Sequence, residues 1–204
     1  MSAELWDQIA TERRSFVAML EQLDEDQWAA PSLCSEWTVR DVAAHVAMHR
    51  RAMTIPAVIR GLWHTRGLWE TGGWLAQEFA KRPIPAILEE LRGSIGSREH
   101  PLVVRPANAR TDLVVHGQDI AVALGIDRPV PAETGIAAFH HLWGMKVPWV
   151  TSRRFAGVRL VATDADLVVG DGPEVAGRLG DLLLALTGRP AGAERLTGPV
   201  PSLT

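Results

Sequence analysis

The chain has 204 residues, 47% hydrophobic and 22% charged, with a formal net charge of −3. That is the make-up of an ordinary globular protein with enough chain to bury a core. Basic residues are scattered, with short pairs at Arg13-Arg14, Arg50-Arg51 and Arg153-Arg154, which excludes the broad basic field that draws nucleic acid or anionic lipid.

At the N-terminus acids come early, in Met-Ser-Ala-Glu-Leu-Trp-Asp, unlike the basic-then-apolar layout of a signal peptide. No apolar run approaches the ~20 residues of a membrane helix. A cytoplasmic chain with no membrane partner is therefore expected. Ser2 can cap a first helix to about Leu23, whose stripe is Leu5, Trp6, Ile9, Phe16, Val17 and Leu20. Asp24-Glu25-Asp26 and Pro31-Ser32 then mark a loop. The loop carries Cys34, the single cysteine, so no intrachain disulfide or cysteine-rich zinc site can form, in keeping with a reducing compartment. Thr38-Val-Arg-Asp41 reads as a capping-box start with Asp41 in place of Glu or Gln. The helix it opens carries Val42, His45, Val46, His49 and Met53, and Pro56 bends or ends it.

Residues 61–73, rich in Trp and Gly, fit no single element. Helical pieces follow over 74–80 and 85–95, with Pro85 at a favourable first position. Asn108 can cap a helix over 109–124 closed by Gly125, and Pro131 or Ala132 starts another to about Met145. Four or five helices with short loops argue for a bundle. Beyond Trp149, residues 158–162 and 166–169 look like short strands around a turn at Thr163-Asp164. Residues 174–186 read as a helix ended by Gly188 and Pro190, and 195–198 as a last strand. Residues 1–150 are thus expected to form a helical bundle and 151–204 a small α/β domain packed on it, since so few strands make no core alone. Tyrosine is absent and tryptophan occurs 8 times, which removes tyrosine from the acid/base candidates and supplies bulky walls for a core or a pocket.

Asp112 and His116 stand four residues apart in a helical segment, so both leave one face a turn apart. A carboxylate and an imidazole so placed can close on one divalent ion. His45, among the small apolar neighbours Val42, Ala43, Val46 and Ala47, is the natural third donor from another helix. Three N/O ligands with an open fourth position describe a catalytic zinc site better than a structural one. The bland alternative is a surface or half-buried pair without metal. The apolar residues around Asp112 and His116 weigh against it, and bundle-core metal sites are built this way. His49, a turn beyond His45 and beside Met48, Arg50 and Arg51, reads as a surface residue before a fourth ligand or proton shuttle. Asp119 either orients a ligand imidazole or pairs with Arg110 or Arg128. Arg40 and Arg110 read as solvated structural residues. His140 and His141 cannot both face one site, and His64 and His100 carry no case. Cys34 reads as a buried, inert packing residue, since no base or cation cluster accompanies it. No phosphate loop, Gly-x-Ser-x-Gly or His-Glu-x-x-His is present.

Leu33-Cys34-Ser-Glu-Trp37-Thr-Val-Arg-Asp41-Val-Ala-Ala-His45 resembles the N-terminal signature of the actinobacterial mycothiol-dependent maleylpyruvate isomerase family. Arg110-Thr-Asp112-Leu-Val-Val-His116-Gly-Gln-Asp119-Ile is similar to its second signature, and residues 158–189 to its small C-terminal domain. The resemblance implies a mainly α, DinB-like four-helix up-down bundle with a small C-terminal α/β unit. It also implies a divalent metal, usually zinc, on His45, Asp112 and His116, and mycothiol as a thiol cosubstrate whose sulfur takes the open position. Isomerisation or S-transfer on an electrophilic small molecule would follow. The family's characterised isomerase has glutamate where Asp112 stands, and the compact tail shows no counterpart of its cationic substrate contacts, so the substrate does not carry over. Two other readings stay open: a non-catalytic metal- or ligand-binding module in stress response, and a hydrolase using metal-activated water. The expected partners are a small-molecule substrate and a low-molecular-weight thiol, with a homodimer allowed and no nucleic acid.

Overall fold

The apolar stripe of the N-terminal segment folds as helix α1 (Ala3–Leu20), with Ile9, Phe16 and Leu20 fully buried. The computed structural model describes residues 3–48, 61, 63, 65, 68–99, 105–146 and 151–203; His49, Pro56, His64 and His100 lie outside these. The segment expected as loop after α1 contains a short helix, α2 (Glu25–Ala29). Its cap explains the difference: the Asp24 carboxylate accepts the Gln27 N–H at 2.8 Å while Gln27 Oε1 accepts the Asp24 N–H at 3.0 Å, a capping box written as D-x-x-Q. Helix α3 (Val39–Met48) begins where Thr38 and Asp41 predict.

Helix α4 (Leu68–Ala80) starts earlier than expected and runs through Gly72 and Gly73. Gly73 lies under the Trp37 ring, where an added Cβ would stand 3.4 Å from Cζ2. A residue that weakens the helix alone therefore serves its packing. Helix α5 (Ile84–Ser94) has Pro85 in its first turn. Helix α6 (Pro106–Ala123) starts before Asn108, because Pro106 is itself suited to a first helical position. Gly125, at φ +68°, closes it as the Ile126 N–H reaches back to the Ala121 carbonyl at 2.8 Å.

Two compact units divide the chain, Met1–His116 and Gly117–Thr204, with the division inside α6. In the first, α3 packs on α4 and α5, and α5 on α1. Ile87 and Leu91 of α5 are buried. Arg13 of α1 is buried too, and its Nη1 donates to the Ser94 and Ser97 carbonyls at 2.6 and 2.7 Å, filling acceptors that the end of α5 leaves open.

The second unit holds α7 (Ala132–Trp143), α8 (Thr151–Arg154) and a three-stranded sheet of order β2-β1-β3. Strand β1 (Arg159–Ala162) pairs antiparallel with β2 (Val168–Val169) and parallel with β3 (Glu174–Gly177). The last strand corrects the expected helix over 174–186. Glu174 to Gly177 alternate between exposed and covered positions, the period of a strand. Helix α9 (Leu179–Leu186) begins only after Arg178, where Asp164 Oδ1 accepts the Leu179 N–H at 2.7 Å. A further short helix, α10 (Pro190–Ala193), follows Gly188. The strand expected at 195–198 reduces to a single bridge between Thr197 and Ala176. Every residue of α9 is buried, as an all-round apolar helix requires; it packs on α7 and reaches β1. The molecule is mainly helical with a small sheet, the class expected. No helix among the described residues is long and apolar enough to cross a membrane.

Candidate metal centre

The turn ahead of α3 is closed on itself. The Ser32 N–H and hydroxyl both donate to the Trp37 carbonyl, at 3.0 and 2.9 Å, and the Trp37 N–H donates to the Cys34 carbonyl at 3.1 Å. Glu36 takes the left-handed conformation at φ 66°, uncommon for a residue with a Cβ. Next to it, Asp41 Oδ2 accepts the Thr38 N–H at 2.9 Å and the Thr38 hydroxyl at 2.6 Å, while Thr38 Oγ1 accepts the Asp41 N–H at 3.2 Å. This cap fixes where α3 starts and so the direction in which His45 leaves it. Thr38→Ala is expected to cost about 1 kcal/mol, read as a lower urea midpoint with unchanged slope.

His45 from α3 meets Asp112 and His116 from α6. His45 Nε2 lies 3.2 Å from Asp112 Oδ2, and His116 Nε2 lies 3.4 Å from Asp112 Oδ1. The two imidazoles stand edge to face with centroids 5.0 Å apart. One ligand atom from each of the three residues lies within 4.8 Å of the others. Their side chains are 24%, 34% and 9% exposed in the order His45, Asp112, His116. The cluster is thus anchored in the packed interior on one side and open to solvent on the other.

The donor set fits a divalent ion. Ligand atoms about 2.0–2.2 Å from zinc at tetrahedral angles stand about 3.3–3.6 Å from one another, and the two carboxylate–imidazole separations are 3.2 and 3.4 Å. The longer one is outside the usual range for a hydrogen bond of this kind, whereas both suit donors facing a common centre. One carboxylate and two imidazoles form the mixed N/O set that zinc accepts with a position left over.

Trp37 completes the site, a role its place in the sequence motif did not disclose. Its ring stacks on His116 at 6.2 Å and 23° and tilts against His45 at 5.2 Å and 54°. One indole therefore braces both imidazoles, held there by the closed turn and by Gly73 beneath it. The signal was its position directly before the Thr38 cap. Cys34, expected to be buried, is half-buried, and its sulfur lies within 4.8 Å of a His116 ring nitrogen.

Arg110 Nη1 donates to Gln8 Oε1 at 3.0 Å, and burial lowers its pKa against the pull of Glu4. Arg40 Nη2 donates to the Arg82 carbonyl at 2.6 Å. In the second unit, His140 is exposed and His141 half-buried, and Asp119 is held by Arg189 through bonds of 2.9 and 2.8 Å, a partner no local spacing announced.

Residues 9–100 match the family model of the mycothiol maleylpyruvate isomerase N-terminal domain. That span includes Trp37 and His45 and stops short of Asp112. Among solved structures, the crystal structure of the mycothiol-dependent maleylpyruvate isomerase is similar at a TM-score of 0.58 and 17% identity, covering 99% of this chain and 97% of that one. A histidine-to-alanine mutant of the isomerase gives a TM-score of 0.60 at the same identity and coverage. At this identity the likeness is one of fold. No curated protein matches the chain.

Proposed function

We propose that the chain, whose residues 9–100 match the mycothiol maleylpyruvate isomerase N-terminal domain model, is a metal-dependent enzyme using a low-molecular-weight thiol of the mycothiol kind. Its reaction is isomerisation or S-transfer on an electrophilic small molecule. The observation that carries this reading is the convergence of His45, Asp112 and His116 beside a solvent-open face.

In this reading His45, Asp112 and His116 would hold zinc, and the Asp112 carboxylate would supply a negative charge that offsets half of the ion's. A zinc ion there would keep a bound thiol deprotonated at neutral pH. The chain's own contribution is positional. Trp37 keeps the two imidazoles from rotating, and the Thr38–Asp41 cap fixes the helix that carries His45. The half-exposed Asp112 and His45 leave an approach for thiol and substrate. Asp112 is one methylene shorter than the glutamate that the resemblance places at this position. The substrate is an electrophile in this reading, and maleylpyruvate is not carried over to this chain.

The test measures metal in protein purified without tag or chelator, then assays it with mycothiol and a panel of electrophiles. About one zinc per chain, with turnover that needs both metal and thiol, is the expected result. Turnover indifferent to thiol would replace this reading with hydrolysis by metal-activated water, and a chain that takes up no zinc would overturn it.

A further inference from the structure

The second unit contains a cavity of about 160 Å³ whose lining includes none of His45, Asp112 and His116. It is bounded by the end of α6, the loop 125–130, the turn after β1, the start of α9 and Arg195 beyond α10. Three arginines, Arg128, Arg178 and Arg195, line it together with three aspartates, Asp127, Asp164 and Asp181. Most of these charges have local employment. Arg178 donates to Asp127 at 2.7 Å and lies 3.6 Å from Asp164, whose other oxygen caps α9.

Asp181 and Arg195 are different. Asp181 is only 8% exposed, yet its carboxylate accepts no hydrogen bond among the described residues. Its nearest cationic atom is Arg195 Nη1 at 4.0 Å, too far for a hydrogen bond. The half-exposed Arg195 guanidinium likewise donates none. Asp181 and Arg195 are thus an anion and a cation that meet only at 4.0 Å on the cavity wall, and each can still form hydrogen bonds with a molecule bound there.

The charges define that ligand. A simple cation at Asp181 would meet Arg195 and Arg178, and a simple anion at Arg195 would meet Asp181. A molecule with an ammonium and a carboxylate on neighbouring atoms satisfies both and leaves the balanced charge of the wall unchanged. Val122, Ile126, Pro129 and Val130 supply the apolar remainder of the lining. We propose that this cavity binds a small zwitterion of the α-amino-acid type with an apolar side chain, its ammonium on Asp181 and its carboxylate on Arg195. The site stands on residues 118–195 alone and does not depend on the metal reading.

A structural role for Asp181 makes the opposite prediction about stability. Burial pushes its carboxyl pKa up, with Asp164 adding to this and Arg195 and Arg178 opposing it. A carboxyl raised on folding lowers stability once pH exceeds its folded pKa, and that loss vanishes below the ordinary carboxylate range. Asp181→Asn should thus be no less stable than the parent at neutral pH, and any advantage should disappear in acid. If Asp181 served only as a favourable charge in the first turn of α9, the variant would melt lower.

The binding test titrates the full chain calorimetrically with free alanine, valine and leucine, and with their N-acetyl and amide derivatives, each of which lacks one charge. At least one zwitterion should bind saturably at millimolar concentration or below, and both derivatives should bind at least tenfold more weakly. Asp181→Asn and Arg195→Gln, each checked for folding by circular dichroism, should lose binding by a similar factor. Absence of binding across the panel, equal binding of the derivatives, or undiminished binding in both variants would each overturn the proposal.

Discussion

Replacing His116 by alanine is expected to strip zinc from the chain while leaving it folded. His116 is the most buried of the three proposed donors, its side chain 9% exposed and its Nε2 3.4 Å from Asp112. Losing a group that merely orients a ligand already weakens metal sites ~10–100-fold. Losing one of three direct donors should weaken this one beyond that range. Alanine is the best helix former, so α6 persists, and a destabilisation of about 1–3 kcal/mol for a buried substitution falls within the margin of a typical domain. The measurement is zinc content after loading and dialysis, alongside far-ultraviolet circular dichroism. His140→Ala, on an exposed helix position, is the control that should keep the metal. Asp112→Glu should also keep it, since the carboxylate remains, whereas Asp112→Ala should not. A folded His116→Ala protein with full zinc content would remove the metal reading altogether.

How far the sequence discloses this site depends on the range of the interactions. Asp112 and His116 are legible because four residues in a helix always make one face, and Thr38 with Asp41 mark the helix start that orients His45. Trp37 as a brace is not legible in the same way. Its contact with both imidazoles needs a turn in which Glu36 goes left-handed, and nothing local in glutamate asks for that. The same holds for the fold. The helices with caps and stripes fall near their expected places, and the D-x-x-Q box of α2 was there to be read. Strand β3 was hidden because Glu174–Gly177 runs into the leucine-rich α9 with only Arg178 between them, and its pairing with β1 is parallel and non-local. Asp119 shows the limit most plainly. Its partner stands 70 positions away, and no spacing rule reaches that far.

That pair carries the largest stability effect expected in the second unit. Asp119 is fully buried and Arg189 nearly so, at 0% and 13% side-chain exposure. The guanidinium meets the carboxylate with two parallel bonds, Nε to Oδ1 at 2.9 Å and Nη2 to Oδ2 at 2.8 Å, and places Nη1 on the Thr187 carbonyl at 3.0 Å. This bidentate arrangement is the strong form of the interaction, and burial spares it the solvent screening that makes surface pairs weak. Arg189→Met keeps the volume and removes the charge, leaving a carboxylate buried without its cation. The expected loss is about 3–5 kcal/mol, a fall in Tm of roughly 6–20 °C for a chain of this size. Asp119→Asn should lose less, because the amide is neutral and still accepts one of the two bonds. The double variant Asp119→Leu with Arg189→Met should recover most of the stability lost by Arg189→Met, since removing both charges together also removes the desolvation they suffer. Thermal melts of the parent, Asp119→Leu, Arg189→Met and the double variant give the coupling directly. An Arg189→Met protein that melts within a degree or two of the parent would show that the pair contributes no more than a surface ion pair.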